Sequence, residues 1–200
     1  MPQQTRTVLA GVLALGLVSL AHPAAAQTAA ALSRTAPRVL TDVTDTVKDD
    51  DGSRVTLRTV LAYDPAAGEY VQTVTEADGT VRSRTVQTSR MVPPTAEEDA
   101  AARALVAADP EVSALVAQAR YPVEVSGGFQ LVREAGHGCG PGSRCLQYDV
   151  YEVVPGETFA RRIRFVVVDL RQLELFSNDF DPATEGNLAN PAARARSRAN

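Results

Sequence analysis

Two stretches decide how this chain is built: TAEEDAAARALVAADPEVSALVAQAR at residues 95–120 and RFVVVDL at 164–170. In the first, Thr95 three positions before Glu98 is a capping box, so a helix starts there. Asp109-Pro110-Glu111 restarts it, with an N-cap, a proline at the first helical position and an acid near the positive end of the dipole. Apolar residues at 101, 105, 108, 112, 115, 116 and 119 form one helical stripe, which needs a sheet to lie on. The second stretch supplies part of that sheet. Strands are predicted over 121–134, with a break at Gly127-Gly128, and over 145–154, 158–170 and 172–177. Pro155-Gly156 turns the chain between the second and third of these. The expected inward sets are Leu146, Tyr148 and Val150; Ile163, Phe165 and Val167; and Leu173 with Leu175.

Upstream, four β-prone runs at 39–48, 53–63, 69–76 and 80–88 are separated by Asp49–Gly52, Asp64–Gly68 and Ala77-Asp78-Gly79. Asp-Gly between alternating runs signals a hairpin, so the segment reads as a four-strand antiparallel meander. Its apolar face is thin: Val55, Leu57, Leu61 and Tyr63, then Tyr70 and Val74, then little. A sheet this polar is not stable alone, so it either packs its one good face on the later domain or stays partly solvated. Pro93-Pro94 ends it. The expectation is an α+β chain: β-meander at 39–92, helix on antiparallel sheet at 93–179.

The ends read differently. Arg6, an apolar run at 8–21 too short to span a bilayer, and Ala24-Ala25-Ala26 make residues 1–26 a secretory signal peptide. The expected location is the periplasm or the extracellular space, with no membrane span after cleavage. Residues 27–38 are expected to be a flexible lead-in and 180–200 a disordered tail. The net charge of −4 becomes more negative once Arg6 leaves, which argues against a nucleic-acid partner.

Cys139 and Cys145 enclose five residues. In an exported chain that pair reads first as a disulfide. Free thiols, or a metal held with His137, are the other readings, but no fourth ligand is adjacent. The glycine-rich loop around the pair, with His137 expected exposed at its tip and Arg144, is a candidate interaction loop. Asp42, Asp45 and Asp49-Asp50-Asp51 suggest calcium, yet an EF-hand frame puts Val47 and Arg58 at its essential ends, leaving a solvated hairpin turn. Alternation sends Arg162 and Arg164 to one sheet face, where they could receive an anion; the simpler reading pairs them with Asp149 or Glu152. One histidine after signal removal, no tryptophan and 5% aromatic residues leave no catalytic set and no stacking platform. No cofactor is expected.

Four segments, TAEEDAAARAL (95–105), ADPEV (108–112), YDVYEVV (148–154) and FVVVDL (165–170), resemble the PepSY-type and copper amine oxidase N-terminal-type accessory domains. The resemblance spans about 95–179. Arg171-Gln172 stand where PepSY-type domains place a turn glycine. It implies a small cystatin-like module that inhibits, tethers or chaperones another exported protein, with no catalytic residues to carry over. The functional expectation is therefore a non-enzymatic binding or accessory module whose partner is another exported protein. The alternative is an inhibitor or propeptide-like partner of an exported enzyme. A third reading is an enzyme using His137 and the cysteine loop.

Overall fold

The computed structural model describes residues 32–157 and 160–181. The expected signal peptide, the start of the lead-in and the tail beyond Asp181 lie outside the described residues. Within them the chain is α+β, with two four-stranded antiparallel sheets and two helices.

The first sheet is the meander, in the order β1 (Arg38–Lys48), β2 (Arg54–Asp64), β3 (Glu69–Glu76), β4 (Val81–Gln87). Its three turns sit at the predicted places. Gly52, Gly68 and Gly79 all take positive φ, which side-chain-bearing residues resist. The alternation of β2 holds: Leu61 and Tyr63 are buried, and Val55, Leu57 and Thr59 are half-buried on the same face. Burial is confined to one end. Leu40, Leu61, Tyr63, Tyr70 and Val92 form a small cluster, while all of β4 and residues 41–48 of β1 are exposed.

The helices are α1 (Ala96–Ala108) and α2 (Pro110–Gln118). Thr95 Oγ1 accepts from the Glu98 amide at 3.2 Å, and the Thr95 amide donates to Glu98 Oε2 at 3.3 Å, closing the capping box. Asp109 is extended, with ψ of 128°, and its side chain accepts from the Glu111 and Val112 amides. That kink breaks the single stripe expected across both helices. The buried residues are Glu98, Ala101, Ala102, Val106 and Val112, with Leu105 partly buried; Ala108 and Val116 face solvent.

The second sheet runs β5 (Val123–Leu131), β6 (Cys145–Glu152), β7 (Arg161–Asp169), β8 (Glu174–Ser177). Leu146, Tyr148 and Val150 face the helices, as expected. On β7 the helix-facing residues are Val166 and Val168, followed by Leu170, not Ile163, Phe165 and Val167. Val167 is buried on the other face, with Leu131, Cys139, Cys145 and Phe180, and Phe165 packs beside it. A strand covered on both faces is apolar throughout, so alternation has nothing to choose between. Leu173 sits in the turn before β8 with φ of 54°, not in a strand.

Near the expected bounds, Leu32 packs against the helix-covered core, while residues 34–37 are exposed. Phe180 is buried with Cys139 and Cys145.

The helix-covered core and the distal part of the meander differ in burial, and so should their energetics. Leu146→Ala, in the fully buried core, is expected to lower stability by about 2–5 kcal/mol in urea unfolding. Leu57→Ala, on the projecting part of the meander, is expected to cost under about 1 kcal/mol. Similar losses at both positions would show that the distal meander is part of the cooperative core.

Candidate functional site

The disulfide between Cys139 and Cys145 is present, with the Cα atoms 5.5 Å apart, so the thiol and metal readings of these cysteines fall. The loop it closes does not face outward. It lies between the two sheets and supplies several of the hydrogen bonds that join them. Gly142 donates its amide to the Thr88 carbonyl at 2.6 Å. The Gly142 carbonyl accepts from the Tyr63 hydroxyl at 2.9 Å and from Arg171 Nη1 at 3.3 Å. The Ser143 carbonyl accepts from the Tyr70 hydroxyl at 3.2 Å. Arg171 also reaches the Pro65 and Ala66 carbonyls in the β2–β3 turn. A Cβ on Gly68 would meet the Gly142 carbonyl at 2.8 Å and Arg171 at 2.9 Å, and φ there is positive, so the contact requires glycine.

Arg144, expected on an interaction loop, is fully buried. All its N–H groups are matched. Nε and Nη2 fork onto the Glu98 carboxylate at 3.2 and 2.7 Å. Nη1 donates to the Val92 carbonyl and Gln130 Oε1, and Nη2 also to the Pro93 carbonyl. Burial works to lower the guanidinium pKa, but hydrogen bonding and the charge of Glu98 outweigh it and hold it above its ordinary value. Arg38 approaches the same carboxylate at 3.4 Å, lies over the Tyr63 ring and donates to the Leu170 carbonyl. Burial lowers its pKa, and its Nε and Nη1 have no hydrogen-bond partner among the described residues. Gln130 completes the network, accepting from the Val92 amide and donating to the Tyr70 hydroxyl.

His137 is half-buried rather than exposed. Its Nδ1 accepts from the Cys139 amide at 2.9 Å and its ring packs on Phe176. Arg162 and Arg164 do not share a face. A register shift sets Arg164 opposite Val150 and Arg162 opposite Tyr151. Cross-strand partners share a face and neighbours along a strand do not, so the two guanidinium groups diverge. Arg162 lies over Phe165 and beside Asp149 at 3.4 Å, while Arg161 pairs with the buried Glu152. The anion reading thus loses its second prong. The Asp49–Gly52 turn is built from its own backbone and side chains, and Asp49 pairs with Arg82. Among the described residues no group of three or more His, Cys, Asp or Glu side chains is placed to hold a metal, and no helix is long and apolar enough to cross a membrane.

Several clefts are open among the described residues: one of about 480 Å³ beside Asp149, Tyr151 and Arg162, one of about 360 Å³ between the helices and Val123 and Val125, and one of about 360 Å³ lined by Met91–Pro94 on one side and Gly127–Gln130 on the other. Phe129 is 68% exposed and Met91 55% exposed at the rim of the last of these. The glycines make the bulge that lifts Phe129: they take φ of 136° and 89°, and the ladder skips Gly128. A Cβ on Gly128 would meet Pro94 at 3.2 Å and the paired Asp99 and Tyr148 hydroxyl at 3.4 and 3.5 Å, so the cleft floor is backbone against that pair. Sequence alone marked only the Gly127-Gly128 break; the signal for a site was an aromatic directly after it.

No protein-family model matches the chain, and no curated protein matches it.

Removing one partner of the buried pair should be severe. Arg144→Met is expected to cost about 3–5 kcal/mol in urea unfolding, because the buried Glu98 loses its bidentate partner and keeps only Arg38 at 3.4 Å and the Thr95 amide. An Arg144→Met protein as stable as the parent would contradict the network. Asp169 has the opposite sign. Burial raises its carboxyl pKa above the ordinary value despite the Arg171 amide it accepts. Its ionised form therefore weakens the fold at neutral pH, and that penalty fades as pH falls through the raised value. Asp169→Asn keeps the acceptor, so it should be at least as stable at neutral pH, with the advantage gone near pH ~3. A neutral-pH loss above about 1 kcal/mol would overturn this.

Proposed function

We propose that this chain is an exported, non-enzymatic binding or accessory module that engages another exported protein through the Met91–Pro94/Gly127–Gln130 cleft. The exposure of Phe129 over a glycine bulge carries the reading. Large aromatic side chains at a well-formed apolar depression are the usual anchors of recognition surfaces, and exposed apolar groups in such clusters mark contact sites. Other candidate groups among the described residues are engaged internally: both cysteines in the disulfide, Arg144 in the sheet interface, His137 on a backbone amide. The helix–sheet order of 95–179 adds the resemblance to PepSY-type, cystatin-like accessory modules, whose role is to bind. The leader at 1–26 supports export, and Cys139–Cys145 suits an oxidising compartment.

A photo-crosslinking residue at position 129, in cells exporting the protein, tests this. The expected result is a discrete protein adduct that is lost when Met91→Asp is added and is absent when the crosslinker sits at Asp45. No adduct from position 129, or equal labelling from both positions, would count against the cleft. An adduct to an exported hydrolase whose activity falls on binding would turn the reading to the inhibitor alternative.

A further inference from the structure

The outer edges of the meander are complementary to each other, row by row. β1 and β4 are the two outermost strands of their sheet. Residues 41–48 and all of β4 are exposed, and among the described residues no backbone hydrogen bond from outside the sheet reaches 41–48 or 81–87. The registers define rows that run across the sheet. Asp42 faces Val60, Val60 faces Thr73, and Thr73 faces Arg84. Val39 faces Ala62, Ala62 faces Val71, and Val71 faces Val86. One row thus begins in an acid and ends in a base. Another begins and ends in an exposed valine, 56% and 41% accessible. A third links Thr41 to Thr85 through Leu61 and Gln72.

We propose that the meander is a lateral self-assembly element, in which β4 of one copy pairs antiparallel with β1 of a second copy. Arg84 then lies beside the partner's Asp42 and Val86 beside the partner's Val39. Strand direction allows this, because alternating strands put β1 of the next copy antiparallel to β4. The hydrogen-bonding phase allows it as well. Residue pairs along a row alternate between bonded and non-bonded, so in a four-stranded sheet both ends of a row present the same state outward. Charge selects it over the symmetric alternatives. β1 against β1 sets Asp42 and Asp45 near their own kind, β4 against β4 does the same for Arg82 and Arg84, and like charges opposite each other are unfavourable. Asp42 already pairs with Arg58 at 2.6 Å and Arg82 with Asp49, and these pairs are on the surface, where a further neighbour of opposite sign is accommodated. The contact is head-to-tail, so it does not close; copies add one at a time. It uses none of the residues of the Phe129 cleft, so the two proposals stand or fall separately.

Sedimentation velocity of the purified protein over a concentration series tests it. At low salt the wild type is expected to sediment increasingly fast with concentration, and less so at high salt, where the screening length falls from about 10 Å at 0.1 M to about 3 Å at 1 M. Asp42→Arg and Arg84→Asp should each weaken association about tenfold, and an equimolar mixture of the two should restore it, since each then meets an opposite charge. Phe129→Ala should leave association unchanged. If either reversal unfolds the meander by circular dichroism, Val86→Lys carries the same expected loss. A wild type that stays monomeric at every concentration, association unmoved by these variants, or a mixture of folded variants that fails to recover it would each overturn the proposal.

Discussion

The buried Arg144–Glu98 pair is the constraint on which the two halves of this molecule depend. A charge removed from water is costly unless every donor finds an acceptor. Arg144 meets that demand only because acceptors from three separate places converge on it: the capping-box glutamate of α1, the Val92 and Pro93 carbonyls after the meander, and Gln130 of β5. Moving any of these segments strands a buried charge. The pair therefore specifies one relative placement of meander, helix and second sheet rather than simply adding stability.

The disulfide serves the same placement. Cys145 starts β6 directly after Arg144, and Cys139 returns the loop to it, so Gly142 and Ser143 are presented to Tyr63 and Tyr70. The docked half of the meander face, Leu61, Tyr63 and Tyr70, is thus covered, and the distal half is left to solvent. A thin apolar face that fades along the strands has this physical outcome: one end is anchored and the other projects with both edges open. The proposed binding cleft lies where the linking segment at 91–94 runs beside β5, so its shape is set by the same network through Gln130 and Val92.

Much of the framework was legible because local rules decide it. The Asp-Gly turns fixed the meander, and Thr95 with Glu98 and Asp109 with Pro110 fixed both helix starts. The readings that failed depend on what lies across from a residue. Val166, Val167 and Val168 all read alike, so the helix-facing side of β7 followed only from the tertiary structure. The register shift at Ile163 sent Arg162 and Arg164 apart, and no spacing announces a bulge. Arg144 looked like a loop arginine because its partners lie 14 to 52 residues away in sequence. The Phe129 cleft was half visible, as a glycine pair interrupting a strand.

Hydrogen exchange of the oxidised and the disulfide-reduced protein, resolved by strand, tests most directly whether the loop that carries Arg144 fixes the placement of the two sheets. If the 139–145 loop holds the sheets together, reduction should speed exchange in the docked end of the meander, at Leu61–Tyr63 and Tyr70–Gln72. The helix-covered strands at Leu146–Val150 and Val166–Val168 should keep most of their protection. Protection lost uniformly across both sheets, or not lost at all, would show that the loop is not what joins them.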